Sequence, residues 1–150
     1  MDEAERRLAG FLAKFTPEIE AQATAIIAAM RARLPGAVMP VYDNYNALAV
    51  AFGASDRQRD LVFSIAVYPR WVSLFFARGV DLDDPHGALK GDGSRVRHIV
   101  LSGPQSLDEP AVADLMARAL ARAEPPIDPA GPGGLVIKSV SAKQRPRRPA

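Results

Sequence analysis

The chain has 150 residues, 48% apolar and 24% charged, with a net charge of +2 and no cysteine, which suits one globular domain. The lack of cysteine excludes disulfides, thiolate catalysis and cysteine-based zinc or iron–sulfur sites. No apolar run approaches the roughly 18–20 residues needed to span a bilayer, and "MDEAERRLAG" lacks the basic opening and apolar core of a signal peptide, so the cytoplasm is the expected compartment.

Leu8, Phe11, Leu12 and Phe15 stand at helical spacing. Thr16 can cap a helix that starts at Pro17, with Glu18 and Glu20 near its positive end. Ile19, Ala23, Ile26, Ile27, Met30 and Leu34 continue an apolar stripe, and Pro35-Gly36 ends it. This reads as two helices, or as one helix broken at Thr16-Pro17.

The period then changes to two. Val38 to Tyr42 predicts a short strand. Leu48, Val50 and Phe52 alternate with Ala47, Ala49 and Ala51, giving one bulky face and one that can be approached closely. Leu61 to Tyr68 and Trp71 to Ala77 predict a hairpin turned at Pro69-Arg70, rich in strand-forming residues. A long loop, Gly79 to Ser94, precedes a fifth strand, Val96 to Leu101. Asp108 is expected to cap a last helix with the stripe Val112, Leu115, Met116, Ala119 and Leu120.

The expected fold is α+β, with an antiparallel five-stranded meander and N- and C-terminal helices on one face. The expected division is a domain over 1–124, a Pro/Gly-rich linker over 125–134, and an edge strand followed by a mobile basic tail over 135–150. An exposed sheet edge leaves homodimer formation open.

The segments "FTPEIEAQATAIIAAMRARLPGA", "VYDNYNALAVAFG", "VFSIAVYPRWVSLFF" and "LKGDGSRVRHIVL" together resemble the YdhG-like family of bacterial domains of unknown function, over roughly Thr16 to Ala123. The resemblance implies a compact α+β domain with an antiparallel sheet, with the "LKGDGS" loop and the following strand part of its core. Some relatives are described as frataxin-like iron chaperones, which bind iron on an acidic helix face. Here the first helix opens with Asp2, Glu3 and Glu5, interrupted by Arg6 and Arg7.

Four groups of residues are candidates for function. In "YDNYN", Asp43, Asn44 and Asn46 suit a turn, but Tyr42 and Tyr45 add flat apolar rings with hydroxyls, a mix fit for a small polar or planar ligand. The hairpin residues Arg70 and Trp71, with Lys90, Arg97 and His98, are expected to complete such a pocket. Gly91 and Gly93 among Lys90, Ser94, Arg95 and Arg97 could form a backbone nest for an anion. Asp81, Asp83, Asp84 and His86 offer oxygen and imidazole ligands for iron or another divalent metal; their spacing matches no calcium loop, and Asp84-Pro85 also reads as a helix start. Lys138, Lys143, Arg145, Arg147 and Arg148 contain no acid among them, whereas residues 1–137 carry 14 basic and 17 acidic residues. That tail could contact nucleic acid, although it lacks aromatics to stack on bases.

No catalytic triad, zincin motif, phosphate-binding loop or dinucleotide fingerprint is present, and no cofactor is evident. The leading expectation is a non-enzymatic small-ligand-binding or carrier domain. Frataxin-like metal handling and a tail-mediated nucleic-acid module are the alternatives.

Overall fold

A computed structural model describes residues 2–149 of the chain. Two helices open it. The first, α1, covers Glu3–Leu12, and the Asp2 carboxylate accepts the Glu5 N–H at its start. The second, α2, covers Pro17–Arg33, and the Thr16 hydroxyl accepts the Ile19 N–H. Those two side-chain caps satisfy orphan donors of each first turn, so the chain breaks cleanly between the helices.

The meander follows as β1 (Met39–Asp43), β2 (Leu48–Gly53), β3 (Leu61–Val67), β4 (Val72–Phe76) and β5 (Arg97–Leu101). All four successive pairings are antiparallel. One row of the register runs Phe52–Phe63–Phe76, and its neighbour runs Val50–Ile65–Leu74. These residues are fully buried and pack with Phe15, Ile26, Met30 and Leu115 in one core. Burying each such side chain contributes about 1.5–3 kcal/mol. The helix α3 (Pro110–Arg122) adds Val112, Leu115 and Met116 to the same core. The helices thus cover a single face of the sheet.

Two details differ from the sequence expectation. Asp108 does not cap α3: it ends a short 3-10 turn, Pro104–Asp108, and pairs instead with Arg33, while Glu109 occupies the cap position. The larger difference is the sheet itself, which has six strands and is mixed. A last strand, β6 (Leu135–Val140), lies beside β1 and runs parallel to it, giving the order β5-β4-β3-β2-β1-β6.

The parallel direction follows from where the linker leads. Residues 128–134 return to the α2–β1 turn, where Gly133 N–H donates to Gly36 O at 3.2 Å and Met39 N–H donates to Gly134 O at 2.9 Å. The chain therefore enters β6 beside the start of β1 and has to run the same way. Gly36 makes this crossing possible. Its φ is +81°, and a Cβ there would collide with the carbonyl oxygen of Asp128. Gly36→Ala is expected to cost about 2 kcal/mol, more than the φ penalty alone; urea unfolding checks this, and an unchanged midpoint would show that the linker does not pack as described.

Candidate functional site

The residues of the first turn divide between the two faces of the sheet. Alternation along β1 sends Asp43 to the side of Met39 and Val41, under the helices, and Tyr42 to the uncovered side. Asp43 is 0% exposed. Its carboxylate accepts from Lys14 Nζ at 2.8 Å and from Arg147 Nη2 at 2.8 Å. Arg147 is 5% exposed; it also donates to Asn44 O at 2.6 Å and lies over the Phe15 ring. Gln144 Nε2 donates to Asp43 O at 3.1 Å, and Ser141 N–H donates to the same oxygen at 2.8 Å.

The basic tail was expected to be too polar to pack. Instead, residues 141–148 strap the β1–β2 turn, because a buried carboxylate supplies the counter-charge that lets Arg147 leave water. Three more tail cations are engaged: Lys138 with Asp56, Arg145 over the Tyr45 ring, and Arg148 Nε with Lys14 O. Asp43 and Arg147 hold the fold and face no groove.

The "DLDDPHG" residues are not gathered around a point. Asp84 accepts the N–H groups of Ala88 and Leu89 at 3.0 Å each, closing a turn. Asp83 lies 3.8 Å from Arg118. Among the described residues, no three His, Cys, Asp or Glu side chains are grouped so as to hold a metal ion. Arg97 stands in the buried-face row with Phe76 and donates to the carbonyls of Gly93 and Val96. His98 is on the opposite face, its ring stacked on Phe75 at 5.1 Å. Lys90 pairs with His98 through two backbone hydrogen bonds and extends the outer edge of the sheet. Arg70 and Trp71 are exposed in the β3–β4 turn, with Trp71 stacked on Tyr68 at 4.7 Å. Burial pushes the Tyr68 hydroxyl above its ordinary pKa.

Tyr42, Tyr45, Arg97 and His98 do not converge. Tyr42 and His98 share a face but lie on β1 and β5, four strand spacings or roughly 19 Å apart; Arg97 lies on the other face.

What the uncovered face does carry is a groove of about 1060 Å³. Its floor is small: Ala49, Ser64 and Ala66 on β2 and β3. At one end stand Asn44, Tyr45, Asn46, Tyr68 and Ser141, and Phe75 lies along the side. At the other end stand Gln58, Arg59, Arg78, Arg95 and Val96. The turn 44–46 and part of the Lys90–His98 segment therefore border one groove, while Arg70 and Trp71 stay outside it. The sequence reading missed Arg59, Arg78, Tyr68 and Phe75. The alternating alanines were the available signal, since a run of small residues on one face leaves room above the sheet. Comparisons with protein-family models, curated proteins and solved structures return no match for this chain. No helix among the described residues is long and apolar enough to cross a membrane.

The Asp43 cluster makes a testable statement. Burial by itself would raise the Asp43 pKa, but hydrogen bonds from Lys14, Gln144 and Arg147 together outweigh it and hold the carboxyl below its usual value. A lowered folded pKa contributes stability that is full above the unfolded value of about 3.9 and is lost as pH falls through the folded value. Asp43→Asn is expected to lower unfolding free energy by about 3–5 kcal/mol at neutral pH, because Arg147 is left buried without a counter-charge. The gap from wild type should narrow as urea unfolding is repeated from neutral pH down to about pH 2.5. A gap independent of pH would contradict the assignment.

Proposed function

We propose that this chain is a small-molecule-binding domain whose site is the uncovered face of its sheet. One observation carries the reading: the floor of that face is Ala49, Ser64 and Ala66 rather than long charged side chains, and aromatic rings and amides rise around it. An antiparallel sheet that simply meets water presents polar residues on its outer face. A floor of alanine and serine leaves backbone-close space, and Tyr45, Tyr68 and Phe75 offer flat apolar surface around it. Asn44, Asn46 and Gln58 add donors and acceptors that can orient a ligand.

The groove runs along the strands. Leu48 to Gly53 is six residues long, so a ligand body of roughly 15–20 Å fits lengthwise. Stacking one aromatic ring of the ligand would contribute about 0.5–1.5 kcal/mol beyond the area it buries.

The test is to fill the groove from its floor. Wild-type protein is expected to enhance the fluorescence of the neutral dye N-phenyl-naphthylamine, and Ser64→Trp to weaken that binding about tenfold while the far-ultraviolet circular dichroism stays unchanged. Ala49→Trp, on the neighbouring strand, gives a second reading if the first variant folds poorly. Dye binding that survives both folded variants would place the site elsewhere.

A further inference from the structure

The charge distribution around the groove is one-sided. Its border includes Arg59, Arg78 and Arg95 and no aspartate or glutamate. All three arginines stand at the same end. Arg59 belongs to the short 3-10 turn Gln58–Asp60 that leads into β3, Arg78 follows β4, and Arg95 precedes β5. These strands are neighbours in the sheet, so the three positions fall across roughly 10 Å.

Backbone hydrogen bonds hold the arrangement. Ala77 N–H donates to Val62 O at 3.0 Å, and Val80 N–H donates to Arg95 O at 3.0 Å, tying the Arg78 and Arg95 segments together. The guanidinium groups themselves are largely unspent. Among the described residues, Arg78 and Arg95 have no ion-pair or hydrogen-bond partner for their side chains, and Arg59 meets only its neighbour Asp60 at 3.8 Å. The Asp60 carboxylate is itself occupied, accepting the Ser55 hydroxyl at 2.6 Å. Arg59 and Arg78 also border a separate cavity of about 190 Å³ that is lined as well by Asp60, Asp81 and Glu124; Arg95 does not line that cavity.

From this we infer that the ligand of the groove is an amphipathic anion. Its apolar or aromatic body would lie on Ala49, Ser64, Ala66 and Phe75, and its carboxylate or phosphate head would meet Arg59, Arg78 and Arg95. Guanidinium groups suit that head because their planar donors pair bidentately with either oxyanion. The inference rests on the groove reading above and adds the chemistry of the ligand. The two kinds of group sit at opposite ends of one trough, which favours a molecule with distinct ends over a uniformly charged one.

Calorimetric titration with naphthyl phosphate, naphthoate and naphthalenemethanol tests it, since the three share a ring system and differ in the head. The two anions should bind about tenfold more tightly than the neutral alcohol, and their relative affinity identifies the preferred oxyanion. The double variant Arg78→Gln/Arg95→Gln should remove that preference and leave the alcohol unchanged. Raising salt should weaken only the anions. Equal binding of all three compounds, or an unchanged preference in the double variant, overturns the anion inference while leaving the groove reading intact. Loss of all three, including the alcohol, in the double variant also overturns it, because the arginines would then be shaping the groove. No binding of any compound or dye to the wild type overturns both readings.

Discussion

The arrangement depends first on one buried carboxylate. Asp43 ends β1 on the helix-covered side, where a lone charge would be expelled or neutralised. Lys14 reaches it from just beyond α1, and Arg147 reaches it from the far end of the chain. Three segments distant in sequence are thereby tied at one corner of the sheet. Arg147 in turn donates to Asn44 O, and Arg145 N–H donates to Tyr45 O. The same cluster that closes the core thus sets the shape of the turn bordering the groove. A buried ion pair of this kind adds little net stability over an apolar substitute, but losing one partner is expensive. Its contribution here is registry: it anchors residues 141–148 across the β1–β2 turn.

The sixth strand follows from the same economy of polar groups. A strand beside β1 satisfies backbone groups that would otherwise form an open edge. The glycines of the linker let the chain approach the α2–β1 turn closely enough to start that pairing at Met39. The sheet widens by one strand at the side where the strap then crosses, and Ser141, just past β6, becomes part of the groove border.

Helices on one face leave the other free, and the composition of the free face is what suggests binding. Pairing brings Ala49 opposite Ala66 and Ala66 opposite Ser73, and brings Ala51 opposite Ser64 and Ser64 opposite Phe75. Small residues thus lie side by side across three strands, with aromatic rings at the ends of the rows. The arginines come from outside the strands. Each lies in a connection that enters or leaves one of three adjacent strands, so the sheet itself spaces them.

Local patterns in the chain were enough to determine both N-terminal helices, the α3 stripe and the five antiparallel strands. Helical periodicity, capping residues and strict alternation act over a few neighbours, and short turns leave adjacent strands little choice but to pair. Those patterns also marked the small alanine face of β2. The direction of β6, the burial of Arg147 and the separation of Tyr42 from His98 were decided only by tertiary structure. An arginine in "RPRRPA" reads as solvated until a carboxylate more than a hundred residues away is placed beside it. Likewise, "YDNYN" looks like one polar cluster, yet alternation on β1 sends Asp43 to the core and Tyr42 to the open face. The arginine rim was invisible for the same reason: its members are spread from residue 59 to residue 95, and only strand pairing makes them neighbours.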